Sequence, residues 1–180
     1  MAGKRENCIS WDTLWMLNAL HAKNRSKDPG TQVGAVIVKD KHLLSLGYNG
    51  APKGMDDDDM PWESNGEKTG NILDIKNTFV VHAEANALMQ FTGSKKELND
   101  SILYVTLFPC NECAKLIASS GVKEVVYLNE YRHKDKVEAT KIIFDCANIK
   151  YRKLENIKEI IEELDIQKNY LNSLKQEKCL

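Results

Sequence analysis

The chain has 180 residues, of which 42% are hydrophobic, and its formal net charge is −1. This composition suits one globular domain with an ample core, and the weak charge argues against nucleic acid as a partner. The small, odd number of cysteines and the absence of an apolar run long enough to span a bilayer predict a cytoplasmic protein with no membrane partner.

The apolar pattern predicts helices and strands in alternation. Ser10 is a suitable N-cap for a helix that runs from Trp11 towards Lys23. Residues 32–38 form an almost continuous apolar run, as expected of a strand buried on both faces. The later elements are a partner strand over 42–48, a stretch without periodicity over 49–77, a helix over 83–89, a strand over 102–107, a helix that begins near 109, a strand over 124–128, a helix through 139–146, a strand over 149–153 and a helical tail.

This order of elements predicts an α/β fold with three layers, α/β/α, around a central mixed sheet of five strands. Strands that are joined through a helix should run parallel by right-handed crossovers. The tail repeats apolar residues at helical spacing with charged residues between them. We therefore expect a globular domain over residues 1–153 and an amphipathic helical C-terminal extension over residues 154–180.

Four side chains carry the strongest chemical signal in the sequence. His82 and Glu84 stand two residues apart, and Cys110 and Cys113 stand three apart after a proline. Residues three apart on a helix share a face, so both thiols can reach one ion at the Zn–S distance of roughly 2.3 Å. His82 supplies a third zinc ligand, and three protein ligands leave the fourth position open for water, as in catalytic sites. Glu84 is then the catalytic acid/base, and the whole pattern is the signature of zinc-dependent nucleobase deaminases.

Two other interpretations of the cysteine pair stay open. A structural zinc site would complete its shell with a fourth protein ligand, either a histidine or one of the cysteines Cys8, Cys146 and Cys179, none of which has a paired spacing. A redox function for the Cys-x-x-Cys motif is the second interpretation. The residues between the two cysteines and the neighbouring His-x-Glu argue against it.

Longer motifs extend beyond the metal ligands. They are RSKDPGTQVGAVIV over 25–38, GYNGAPKG over 47–54, HAEANA over 82–87 and TLFPCNECAKLI over 106–117. With these motifs the chain resembles the eukaryotic deoxycytidylate (dCMP) deaminases of the zinc-dependent cytidine/deoxycytidylate deaminase family. The resemblance covers about residues 10–153, which makes the region over 1–153 a zinc-dependent deaminase domain.

The resemblance implies a cytidine-deaminase-like fold and the hydrolytic deamination of dCMP to dUMP with release of ammonia, which supplies dUMP for thymidylate synthesis. His82, Cys110 and Cys113 match the zinc ligands of the family, and Glu84 matches its proton shuttle. Members of the family are typically hexamers that dCTP activates and dTTP inhibits. Mg²⁺ accompanies the regulatory nucleotide, so the implied partners are dCMP, dCTP, dTTP and further copies of the chain.

The remaining site residues are predicted from charge and from the resemblance. A nucleotide monophosphate carries about two negative charges, which require basic or hydrogen-bonding partners. The candidates for the substrate are Arg25, Ser26, Asn49 and Tyr131, and those for the allosteric nucleotide are Asn49, Gly50, Lys53 and Gly54. The alternatives are solvated surface positions for Arg25 and Ser26, a turn for Asn49 and a capping aromatic for Tyr131.

Three other functions share parts of this pattern. An editor of nucleic-acid bases, such as a tRNA adenosine deaminase, would have the same zinc ligands but would need a basic surface along the phosphate backbone. A free-nucleoside deaminase would not require the phosphate group of its substrate. A zinc-stabilised scaffold would bind metal without turnover, and the intact Glu84 argues against that function.

Overall fold

The structure is a computed structural model that describes residues 3–63 and 70–177, so the last three residues of the predicted C-terminal extension lie outside it. The described part of the chain alternates helices and strands as the sequence predicts. The elements are α1 (Trp11–Lys23), β1 (Gly34–Lys39), β2 (His42–Tyr48), α2 (Ala83–Gln90), β3 (Ile102–Leu107), α3 (Asn111–Ala118), β4 (Glu124–Asn129), α4 (Lys134–Cys146), β5 (Lys150–Lys153) and α5 (Ile157–Glu177).

The strands form one mixed sheet of five strands in the order β2-β1-β3-β4-β5. Strand β1 is antiparallel to both of its neighbours, whereas β3, β4 and β5 run parallel to one another. The parallel strands are the ones joined directly through α3 and α4, which confirms the prediction from the element order. The predicted α/β class with a mixed five-stranded sheet is therefore confirmed.

Helices cover both faces of the sheet and create two core clusters. One cluster joins the sheet to α2, α3 and α4, and the other joins it to α1 and the start of α5. The side chains of β1 alternate between them, with Ala35 and Ile37 in the first cluster and Val36 in the second. This two-sided burial explains why the strand has almost no polar residues.

The first helix begins where its cap predicts. The Oγ atom of Ser10 accepts a hydrogen bond from the backbone N–H of Thr13 at 3.1 Å. The aperiodic stretch that follows β2 contains short 3-10 helices in its described part, at Asp57–Asp59, Ile72–Asp74 and Lys76–Thr78. Among the helices within the described ranges, none has the length and apolar content needed to cross a membrane.

Helix α2 packs unusually closely against β2. A Cβ atom placed on Gly47 would lie 2.3 Å from the backbone nitrogen of Ala87 and 2.4 Å from the carbonyl oxygen of Ala83. Carbon atoms in ordinary contact are roughly 3.5–4.0 Å apart, so only glycine fits at this point of the strand. The contact sets the distance between the sheet and the helix that carries Glu84.

Candidate active site

His82 and Glu84 lie at the N-terminus of α2. His82 is the N-cap residue with extended backbone, and Glu84 lies in the first turn of the helix. The chain reaches this point through a short antiparallel bridge between Val81 and Gly50. The N–H of Gly50 donates to the carbonyl of Val81 at 3.1 Å, and the N–H of Val81 donates back at 2.9 Å. The glycine-containing segment after β2 therefore fixes the backbone next to His82.

The two cysteines lie at the N-terminus of α3. Cys110 is the N-cap residue and Cys113 lies in the first turn of the helix. The loop before them is tied to α4, because the hydroxyl of Thr140 donates a hydrogen bond to the carbonyl of Pro109 at 3.1 Å. Both cysteines are buried, so the helix end that carries them is a fixed part of the core.

The three predicted metal ligands converge on one point. The Nδ1 atom of His82 lies 3.4 Å from the Sγ atom of Cys110 and 3.4 Å from that of Cys113. Ligand atoms around a tetrahedral zinc ion with N and S ligands are separated by roughly 3.5–3.8 Å, so the group has the right size for this ion. Within residues 3–63 and 70–177 the three side chains form the only cluster of this kind, and no fourth protein ligand joins it. An open shell is typical of a catalytic zinc site and not of a structural one.

The electrostatics of the cluster favour a bound cation. Hydrogen bonding with Cys113 and His82 lowers the pKa of the Cys110 thiol to about 3, which makes this side chain a thiolate. The hydrogen bond with Cys110 and burial of the side chain raise the pKa of Cys113. The hydrogen bond with Cys110 raises the pKa of His82, and burial of the imidazole opposes this effect. A bound zinc ion would favour the thiolate form of both cysteines, since thiolates are its preferred sulfur ligands.

Glu84 is the acidic group beside the cluster. Its side chain is only 4% exposed, and burial raises the pKa of its carboxyl group. The negative charge of Glu84 contributes to the raised pKa of Cys113, so the carboxyl lies within electrostatic reach of this candidate metal ligand. A buried carboxyl with a raised pKa accepts and donates protons closer to neutral pH than a solvated one, as acid/base catalysis requires.

An open groove of about 660 Å³ lies along α2, where Asn86, Met89 and Gln90 line it. It brings together four of the predicted residues, namely Arg25, Gly50, Lys53 and Gly54. Gly54 has a positive φ of 94°, a backbone conformation that favours glycine. The N–H of Gly50 is already used in the bridge to Val81, so it is not a free donor for a phosphate group.

Asn49 and Ser26, two of the four predicted substrate residues, use their polar groups within the fold. The side-chain oxygen of Asn49 accepts from the N–H of Val33 at 2.7 Å, and its nitrogen donates to the carbonyl of Thr31 at 2.9 Å. The hydroxyl of Ser26 donates to the backbone carbonyl of Asn49 at 2.7 Å. Both residues hold the segment before β1 against the end of β2.

A buried ion pair beneath this segment was missed by the sequence analysis. The Nζ atom of Lys76 lies 2.7 and 2.8 Å from the two carboxylate oxygens of Asp28. Asp28 also accepts hydrogen bonds from the side chain of Asn49 and from the N–H of Gly30. Lys76 belongs to the aperiodic stretch, and nothing in its local sequence indicates a buried partner 48 residues away.

Tyr131 lies near the two cysteines, whereas Arg25 lines the groove. It follows β4 and packs partly buried against the core cluster that contains Cys110. Burial and the negative charge of Cys110 raise the pKa of Tyr131. The structure thus places Tyr131 within electrostatic reach of Cys110 and places Arg25 in the groove.

The mixed five-stranded sheet, the cluster of His82, Cys110 and Cys113, and the buried carboxyl of Glu84 are together typical of one class of enzyme. This class is the zinc-dependent hydrolases that have an open metal site beside an acid/base residue. Residues 9–129 match the family described as the cytidine and deoxycytidylate deaminase zinc-binding region. The chain belongs to this family and is a deaminase.

Individual relatives agree with this assignment. The deoxycytidylate deaminase of Homo sapiens is 41% identical over 152 residues, which cover 83% of each chain. The probable deoxycytidylate deaminase of Drosophila melanogaster is 42% identical over 154 residues, which cover 83% of this chain and 75% of the relative. The dCMP deaminase of cyanophage S-TIM5, solved in complex with dCMP and dUMP, has a TM-score of 0.61 and 30% identity, covering 78% of this chain and 94% of the other.

Proposed function

We propose that the enzyme converts dCMP to dUMP and ammonia, and that the dUMP serves thymidylate synthesis. The observation that carries this proposal is the open cluster of His82, Cys110 and Cys113 with Glu84 buried beside it. The human and Drosophila relatives support the choice of substrate because both are deoxycytidylate deaminases by name. The cyanophage enzyme supports it further because that protein was solved with dCMP and dUMP.

The chemistry follows from the positions of the four side chains. The three ligands are suited to hold a zinc ion, which supplies the Lewis acidity that makes a water molecule nucleophilic. Glu84 accepts a proton as the oxygen of this water bonds to C4 of the cytosine ring. Glu84 then donates the proton to the exocyclic amine, and the C4–N bond breaks to release ammonia. The burial of Glu84 keeps the proton within the site between the two steps.

We assign the binding of the substrate to four residues, Arg25, Ser26, Asn49 and Tyr131. Arg25 supplies a positive charge in the groove for the phosphate group, and Tyr131 lies near the metal ligands for contact with the base. Ser26 and Asn49 act by holding the loop that carries Arg25, because their polar groups are used in the fold.

We assign regulation to the segment with Asn49, Gly50, Lys53 and Gly54, where dCTP activates, dTTP inhibits and Mg²⁺ accompanies the nucleotide. The groove supports this assignment because Lys53 lines it together with two glycines of the segment. Gly50 pairs with Val81, the residue before His82. A ligand that shifts this pairing would move a metal ligand, which couples the two sites.

We also propose that the enzyme forms a homo-oligomer, specifically a hexamer, and that it is located in the cytoplasm. Met89 on α2 is 78% exposed, and Leu116 on α3 and Ile142 on α4 are also exposed. Apolar side chains at the surface are suited to burial between subunits. In the described part of the chain the cysteines are free, as in a reducing compartment.

The substrate assignment predicts a simple pattern of turnover. Ammonia release from the zinc-loaded enzyme is expected with dCMP, and only weakly with deoxycytidine, CMP or dCTP, because the site must read both phosphate and sugar. Equal turnover of deoxycytidine would indicate a nucleoside deaminase. Turnover of none of the four, with zinc bound, would contradict the proposal and indicate a nucleic-acid substrate or a scaffold.

The proposed regulatory site predicts that Lys53 contributes to activation by dCTP and to inhibition by dTTP. Lys53→Ala is expected to raise the dCTP concentration for half-maximal activation, and the dTTP concentration for half-maximal inhibition, by about 10–100-fold, since a charged hydrogen bond contributes about 1.5–3 kcal/mol. Titrations of dCMP turnover with each nucleotide at saturating Mg²⁺ measure both values. Lys95→Ala is a matched control, because this exposed lysine lies outside the groove. Identical curves for both variants would remove Lys53 from the regulatory site.

A further inference from the structure

Helix α5 carries an apolar face that the rest of the described chain leaves uncovered. Ile160 is its one buried residue among those whose side chains the structure describes, with 4% exposure, and it packs in the core cluster that contains α1. From Ile161 to Leu174 every side chain is exposed or partly exposed. The exposed apolar side chains of the helix are Ile157, Ile161, Leu164, Ile166, Tyr170, Leu171 and Leu174.

The first turn of α5 is fixed to the domain, whereas among the described side chains no hydrogen bond or ion pair joins residues 161–174 to it. The carboxylate of Glu159 accepts hydrogen bonds from the backbone N–H of Ser10 at 2.8 Å and from the hydroxyl of Thr13 at 2.5 Å. Beyond Ile160 the helix continues for about 25 Å at the usual rise per residue. A helix of this length is marginal in water unless its apolar face packs against something.

The apolar face follows a seven-residue repeat. With Ile157 as the first position of a heptad, apolar residues return at the first and fourth positions, and one polar residue, Gln167, interrupts the central heptad. Such a repeat is the signature of a helix that pairs with another helix along a narrow seam, and a single polar residue in the seam sets the register. The first two positions, Ile157 and Ile160, lie where the helix meets the domain, and Ile160 is buried in the core there. The seam that is left for a second helix consists of Leu164, Gln167, Leu171 and Leu174.

The charged residues that flank the seam identify the partner. Glu163 occupies the seventh position of its heptad and Lys168 the fifth position of the next. In two parallel helices these positions face each other across the seam, where opposite charges determine the orientation and the choice of partner. A second copy of the same helix therefore provides two ion pairs between Glu163 and Lys168, one on each side.

The charges also argue against a membrane surface as the partner. Helices that lie on membranes carry lysine and arginine on their polar face. Between Ile157 and Leu174 the acidic residues Glu159, Glu162, Glu163 and Asp165 outnumber the basic residues Lys158 and Lys168. Anionic lipids would repel this face.

We propose that α5 pairs in parallel with α5 of a second copy of this chain, as a short two-stranded coiled coil over residues 161–174. The twofold axis runs parallel to the two helices and between them, so the two globular domains lie side by side at the same end of the helix pair. This contact is separate from any contact between the domains themselves, and it links the copies two by two.

Cysteine crosslinking tests the pairing directly. Leu171 lies in the seam, where equivalent residues of two parallel helices are roughly 6 Å apart, within disulfide range. Ile166 is a matched control, since it is 61% exposed, apolar and outside the seam. In a chain with Cys8, Cys146 and Cys179 replaced by serine, Leu171→Cys is expected to give several-fold more covalent dimer under mild oxidation than Ile166→Cys. Ammonia release shows that each variant is folded.

Charge exchange tests the orientation. In the Leu171→Cys background, Glu163→Lys is expected to reduce the yield of covalent dimer several-fold, because it places like charges across the seam. Adding Lys168→Glu restores opposite charges and is expected to restore the yield. Equal yields at positions 166 and 171, no dimer at position 171, or no rescue by the double exchange would each overturn the parallel pairing.

Discussion

Replacing Glu84 with glutamine is expected to lower kcat for dCMP by about 10²–10⁴-fold or more and to leave the zinc content unchanged. The amide has the shape of the carboxylate, but it cannot accept the proton of the attacking water. Glu84 is not part of the ligand cluster, so metal binding does not depend on it. Zinc analysis by atomic emission and steady-state kinetics on the same preparation measure both quantities.

A variant of a metal ligand gives the necessary contrast. Cys110→Ser is expected to lose zinc together with activity, and to unfold at a lower urea concentration than the parent enzyme. A serine hydroxyl does not replace the thiolate, and without the ion only the contacts of His82 with residues 110 and 113 join the start of α2 to the start of α3 at this point. If Glu84→Gln lost its zinc as Cys110→Ser does, Glu84 would be part of the metal shell and not the proton carrier.

The grouping of His82, Cys110 and Cys113 could be predicted because much of its information is local. His82 and Glu84 are two residues apart, Cys110 and Cys113 are three apart, and each pair lies where a helix begins. Short spacings on a helix end fix side-chain positions almost independently of the rest of the fold. Strand β3 was predicted for a similar reason, since its apolar run ends abruptly on both sides.

Hydrogen bonds between distant segments could not be predicted. The sequence predicts that the first strand begins at Gln32, but β1 begins at Gly34. The N–H of Val33 donates to the side chain of Asn49 instead of a neighbouring strand, so the polar side chain replaces the sheet at this end. The same polar network contains Asp28 and Lys76, whose partners are set by tertiary structure alone.

The close approach of β2 and α2 was also invisible in the sequence, where Gly47 is one glycine of a glycine-rich segment. Only the structure shows that a Cβ atom at this position would meet the backbone of α2. A Cβ atom placed on Gly54 in the same segment would meet nothing within 4 Å, so this position favours glycine because of its positive φ. Glycine is therefore required at these two positions for different physical reasons, close packing at Gly47 and backbone conformation at Gly54. The sequence alone does not distinguish the two reasons.

Gly47→Ala is expected to lower kcat for dCMP by about 10²-fold and to destabilise the fold by about 1–3 kcal/mol. The added methyl group would lie 2.3 Å from the nitrogen of Ala87, so α2 must move away from the sheet by roughly 1 Å to restore contact distance. That movement displaces Glu84 and His82 relative to the cysteines on α3. Kinetics well below the melting temperature, together with thermal unfolding, separate the loss of geometry from the loss of stability.

Gly34→Ala provides the matched control for this effect. Its added methyl group would lie 2.0 Å from the carbonyl oxygen of Ala19, so it overpacks the contact with α1 on the opposite face of the sheet. Both variants should therefore lose stability, whereas the large loss of kcat should belong to Gly47→Ala. If kcat per folded molecule fell equally in the two variants, the loss of activity would come from a general disturbance of the sheet and not from the position of α2. A selective loss would mean that one glycine in β2 sets the distance between the proton carrier and the metal ligands.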